Sequence, residues 1–151
     1  MSLEKPIDII PNEEFEPQNL VVNALILNGE GQYLLLKRPS NHTFYPGYWG
    51  VVMEKVKEGE GWEEALFRGV REELSICINH RNIISQGEDL FKEWKQEIYK
   101  IKTYLIEIEE KEIELNEEHR KYKWLDISSK EIEDMDIMPD ALNMIKSLRD
   151  T

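Results

Sequence analysis

The sequence predicts an α/β domain in which a mixed β-sheet is covered by helices on both faces, an α/β/α sandwich. Three observations carry that expectation. Two apolar, β-prone runs, Leu20 to Leu27 and Tyr33 to Leu36, flank the Gly-rich turn Asn28-Gly29-Glu30-Gly31. Apolar residues recur at three- and four-residue spacing from Trp62 to Leu74 and again from Ala141 to Leu148, as in helices with one buried stripe. Further β-prone segments lie between these helices, and strands interleaved with helices pack as a sheet between helical layers.

Taken in order, residues 1–18 hold Pro6, Pro11 and Pro17 and read as an extended N-terminal segment. Residues 19–151 read as one domain without internal repeats. The runs around Asn28-Gly29-Glu30-Gly31 predict a hairpin whose apolar content implies burial on both faces. Residues 39–48 form a loop punctuated by Pro39, Pro46 and Gly47, in which Phe44, Tyr45 and Tyr48 either close the core or offer a stacking face. Trp49 to Met53 reads as a short strand and Glu54 to Gly61 as a charged loop. A helix is expected from Gly61 or Trp62, its stripe formed by Trp62, Ala65, Leu66, Gly69, Val70 and Leu74. Glu64, Arg68 and Glu72 lie four apart on a neighbouring face. Asn82 to Ser85, Gln96 to Glu107 and Tyr122 to Ile127 read as strands, with 86–95 and 109–118 as loops. Ser128 with Glu131 suggests a capping box, and a last helix opens near Pro139.

The composition excludes several function classes. Hydrophobic residues at 40% suffice for a core. A formal net charge of −12 argues against general nucleic-acid binding and against an anionic membrane surface. No apolar run approaches the roughly 20 residues of a membrane span, and no secretory signal is visible. Cys77 is the only cysteine, so no intrachain disulfide forms, which fits a cytoplasmic setting; within its apolar patch it reads as packing. His42, His80 and His119 are scattered without zinc-like spacing, and no Gly-rich phosphate loop ending in Lys-Ser or Lys-Thr is present.

The stretch that carries chemistry is Glu58-Gly59-Glu60, followed eight residues after Glu60 by Arg68-Gly69-Val70-Arg71-Glu72-Glu73. A turn ending in Gly-Glu leads into a helix that closes on adjacent carboxylates. In an acidic chain most Glu-Glu pairs are solvated surface. On a helix following such a loop, however, Glu72 and Glu73 can aim at one ion near Gly69. Hard divalent cations favour oxygen ligands, and Mg²⁺ retains waters beside phosphate oxygens.

This stretch resembles the Nudix box, whose pattern is Gly, five residues, Glu, seven residues, then Arg-Glu-aliphatic-any-Glu-Glu-any-Gly-aliphatic. Glu60, Arg68, Val70, Glu72, Glu73 and Ile76 match with every spacing intact. The strand ending in Lys37-Arg38, the Tyr45-Pro46-Gly47-Tyr48-Trp49-Gly50 entry and Trp124 extend the resemblance over residues 19–148. Three positions depart: Glu54 stands for the opening Gly, Gly69 for the Glu after Arg, and Ser75 for the late Gly. The resemblance implies a Nudix-like sandwich and a metal-dependent hydrolase that cleaves a phosphoanhydride bond in a nucleoside diphosphate-linked small molecule. It implies Mg²⁺ or Mn²⁺ held by Glu72, Glu73 and Glu118, with Glu118 or Glu73 as proton acceptor. Glu54 adds a loop carboxylate that can offset the one missing at Gly69. Glu60 and Arg68 are expected to be a scaffolding pair. Arg38 either contacts phosphate or ends its strand exposed, and Tyr45 either stacks on a base or packs. A nucleotide-like small molecule is the expected partner, and a homodimer is among the assemblies the family admits. The alternative is a catalytically silent module that binds a nucleotide or a protein, and Gly69 is the feature that favours it.

Overall fold

The computed structural model describes residues 5–10, 16–41, 44–109, 113–115 and 121–150. Its elements are β1 (Ile7–Asp8), β2 (Asn19–Asn28), β3 (Gln32–Lys37), β4 (Trp49–Gly50), β5 (Val52–Lys55), α1 (Trp62–Leu74), β6 (Ile83–Gln86), β7 (Leu90–Trp94), β8 (Glu97–Ile108), β9 (Lys121–Asp126) and α2 (Pro139–Arg149), with 3₁₀ turns at His80–Asn82 and Glu131–Asp134. Among the described residues nine strands form one sheet along the path β1-β7-β8-β2-β3-β4, with β5 joined to β2, β6 to β8 and β9 to β3. β2 and β8 run parallel in register from Asn19↔Tyr99 to Asn28↔Ile108, and the other strand pairs are antiparallel. No helix among the described residues is long and apolar enough to cross a membrane.

β2 is the spine because its side chains alternate between two buried faces. Val22, Ala24 and Ile26 meet Ala65, Leu66, Val70 and Leu74 of α1. Leu25 and Leu27 join Tyr33, Leu35, Ala141 and Ile145 on the α2 side. The sandwich follows from that alternation: a strand apolar on both sides needs a helix over each.

The sheet splits at β2 and β3, whose register includes the pair Leu27↔Tyr33. The segment Trp49–Lys55 bridges the split. Trp49 and Gly50 pair with the end of β3, and Val52 to Lys55 with the start of β2. The expected single strand over 49–53 is therefore two, and Glu54 belongs to β5 rather than to a loop. This ladder sets the direction of Glu54: it shares the α1 face with Val52.

Other expectations are corrected. The loop expected at 86–95 contains β7, which pairs with β8 through a two-residue turn. Lys95 and Gln96 both take positive φ, 49° and 65°, the backbone of a tight hairpin without its usual glycine. In the expected loop 109–118, Ile113 and Leu115 pack against the α1-side core. The hydroxyl that serves the turn at Glu131–Asp134 is that of Ser129, which accepts from Glu131 N at 3.2 Å, not that of Ser128. Cys77 is exposed rather than packed.

Candidate functional site

Arg68 organises the site. It is buried on α1, and every part of its guanidinium finds oxygen. Nε donates to Glu60 Oε2 at 2.8 Å and Nη2 to Glu60 Oε1 at 2.9 Å, a two-pronged grip. Nη2 also donates to the Lys55 carbonyl at 2.7 Å. Nη1 faces Glu72 Oε2 at 3.2 Å and Glu54 Oε1 at 3.3 Å. Glu60 in turn accepts from Lys57 N at 3.0 Å, so the turn before the helix is stapled to its first two turns. The Arg68 grip and the Lys57 amide hold the Glu60 carboxyl down to about 2, and Glu60 raises the Arg68 pKa. The expected scaffolding pair is present, and it recruits two further carboxylates.

The predicted ligands are arranged unequally. Glu72 is 45% exposed and contacts Arg68. Glu73, one residue on, is 1% exposed within α1. Glu54 is one-fifth exposed and shares a nitrogen with Glu72. Glu118 lies outside the described residues. Among the described residues no three carboxylate, imidazole or thiol groups are already gathered to hold an ion. The donor set nevertheless fits Mg²⁺ or Mn²⁺ in kind. It is all oxygen, and three carboxylates around one guanidinium leave negative charge that a divalent cation would offset.

Gly69 sits mid-helix where α1 meets β5. A Cβ added there would come within 3.0 Å of Glu54 Cβ and 3.3 Å of its Cγ. Ser75 ends the helix in a left-handed conformation, φ 60°, which explains why the box pattern carries glycine at that position.

On the opposite face a cavity of about 350 Å³ opens beside the Arg68 cluster. Val21, Met53 and Ile101 line it, with Phe44, Tyr45, Trp94 and Tyr99 contributing aromatic surface. Arg38, Lys55, Lys92, Asp140 and Glu54 are its charged lining residues. Arg38 is buried, not exposed; its Nε donates to the Phe44 carbonyl at 2.8 Å. Tyr45 both packs and lines the cavity, edge-on to Phe44 and Tyr48, in a strained left-handed backbone at φ 47°. Lys92 was not foreseen. It is buried and bridges Asp8 at 2.5 Å and Asp140 at 3.0 Å. Burial alone would lower its pKa, and the two carboxylates more than reverse this. Its sequence signal is faint, a lysine between Phe91 and Trp94 in a stretch read as loop. His80 pairs with Glu63 on the surface, while His42 and His119 lie outside the described residues.

Comparison with known proteins agrees with this geometry. The family model described as NUDIX domain matches residues 17–146. The nucleoside triphosphatase NudI of Escherichia coli is 34% identical over 118 residues, spanning 72% of this chain and 82% of that protein. Among solved structures, the MutT protein of Methanosarcina mazei Go1 superposes with a TM-score of 0.72 at 24% identity, covering 89% of this chain and 94% of that one. The NUDIX domain of Shewanella oneidensis NrtR, solved with ADP ribose, gives 0.71 at 19% identity over 93% and 92%.

Proposed function

The chain belongs to the NUDIX family, and from that premise we propose that it is a metal-dependent hydrolase of a phosphoanhydride bond in a nucleotide-like small molecule. The observation that supports this most is the position of Glu54, which belongs both to the carboxylate cluster on Arg68 and to the wall of the aromatic cavity. A substrate in that cavity would present its diphosphate to the carboxylates. The similarity to a nucleoside triphosphatase makes nucleoside triphosphates the first substrates to try.

In this reading Glu72, Glu73, Glu118 and Glu54 hold the cation. Bound there, Mg²⁺ or Mn²⁺ would polarise the phosphoryl oxygens and acidify a ligated water. Arg68 and Glu60 keep the loop and helix in register, and Arg38 supplies positive charge on the cavity side, where Lys92 is shared by Asp8 and Asp140. Phe44, Tyr45, Trp94 and Tyr99 offer faces on which a base stacks. Glu118 is the first choice as proton acceptor. Glu73 is the second, because its burial demands that water be admitted to the helix.

The test is phosphate and pyrophosphate release from nucleoside triphosphates, nucleotide sugars and dinucleotides with Mg²⁺ or Mn²⁺, beside Glu72→Gln/Glu73→Gln. Turnover that the double variant loses supports the hydrolase. Gly69 favours the second reading, a silent module, because the helix lacks a carboxylate there. Thermal stabilisation by nucleotide without turnover of any substrate would select it.

A further inference from the structure

We propose that Glu54 and Gly69 are a coupled pair: the glycine clears the volume through which Glu54 delivers a cation-binding carboxylate that the helix lacks. The inference rests on the hydrolase reading and gives the two departures one cause. Glycine in a helix interior is unfavourable, and Gly69 has no positive φ to require it. Its neighbours explain it. The contacts a Cβ would make are with Glu54 Cβ at 3.0 Å, Glu54 Cγ at 3.3 Å and Val52 Cγ1 at 3.8 Å. The first two belong to the root of the Glu54 side chain. The β5 ladder fixes the Glu54 backbone and with it Cβ, so turning the side chain cannot relieve the shorter of these contacts. Any side chain at position 69 therefore competes with Glu54 for one space.

The carboxylate so delivered is the third to share the single positive charge of Arg68. Glu60 and the Lys55 carbonyl already occupy Nε and Nη2. Glu54 comes to Nη1 from the strand side, and Glu72 reaches the same nitrogen from the helix. Three carboxylates against one guanidinium leave negative charge that a divalent cation would offset. Glu54 also borders the cavity, so cluster and cavity meet at this residue. The box pattern places glycine before the turn and glutamate after the arginine. Here the same two residue types stand in the opposite order.

The test uses the full chain with Mn²⁺ as probe, binding followed by electron paramagnetic resonance of the free ion and stability by thermal melting. Glu54→Gln keeps the shape and removes the charge, and is expected to weaken Mn²⁺ about tenfold or more. Gly69→Ala should weaken it similarly and lower the melting temperature, although alanine is the better helix former. The exchange E54G/G69E should bring Mn²⁺ affinity back to within about threefold of wild type. Wild-type Mn²⁺ affinity in Glu54→Gln, with Glu72→Gln weakened, would overturn the coupling and leave the hydrolase reading standing. A wild-type chain that binds no Mn²⁺ would overturn both. Should the exchange variant fail to fold, Glu54→Gln and Gly69→Ala decide the matter.

Discussion

The two faces of the sheet solve opposite problems with the same spine. On the α1 face, Val22, Ala24 and Ile26 are sealed under a helix, and the polar intrusion there is Arg68 with its carboxylates. On the α2 face, Val21 and Ile101 open instead onto a cavity walled by aromatic rings. The first face is held by a bidentate ion pair between Arg68 and Glu60. The second is held by edge-on rings and a lysine shared between two carboxylates. Under the proposed hydrolase reading, charge on one side and apolar surface on the other would suit a diphosphate and the group attached to it.

The contrast breaks most visibly at its centre. Arg68→Ala strands three carboxylates in a half-buried site and should lower unfolding stability by about 4 kcal/mol in urea titration. A loss below about 1 kcal/mol would mean that the cluster is ordinary surface. Next come truncations on the two faces. Leu66→Ala, under the helix, should cost about 3 kcal/mol, and Ile101→Ala about half that, since its void merges with an existing cavity. Equal costs would mean that the α2 face is packed as tightly as the other.

A graded loss should appear in acid. The Glu60 carboxyl is depressed to about 2 in the folded chain, against an ordinary value near 4.3 in the unfolded one. Its contribution is therefore complete above the unfolded value and drains away as pH falls toward 2. Melting temperatures from pH 6 to pH 2.5 should fall more steeply for wild type than for Glu60→Gln. Smallest of all, Ser75→Gly relieves a left-handed residue but loses the Ser75 hydroxyl's bond to the Glu114 carbonyl. The net should be a gain of about 0.5 kcal/mol in the same denaturation assay.

What could be read from the sequence followed from periodicity. β2, β3, α1, β8, β9 and α2 each carry enough apolar repeats to announce themselves, and the resemblance to the Nudix box implied the pairing of Glu60 with Arg68. β7 was invisible because its turn uses Lys95 and Gln96 where Asn-Gly would have signalled a hairpin. Missing β7 hid Lys92 and Trp94, and with them one wall of the cavity. The cavity itself joins Pro6, Phe44, Trp94 and Asp140, residues from four distant segments that no local pattern connects. Glu54 was suspected for its charge, but its direction depended on a strand ladder read as loop. Glu118 lies outside the described residues, so its role rests on the proposal alone.

The two residues of β1 close the outer edge of the sheet along β7, with Ile9 N donating to the Phe91 carbonyl at 3.0 Å. Ile7 and Ile10 are 66% and 87% exposed, so little apolar burial secures that strand. Were it to peel away, β7 would present open backbone groups flanked by Phe91 and Trp94, a template for pairing with another chain. Lys92 points inward from this same strand, and a buried charge on an exposed edge is a recognised deterrent to such pairing. The lysine beside the aromatic cavity would thus also protect the protein's solubility, and replacing it would carry a risk of aggregation.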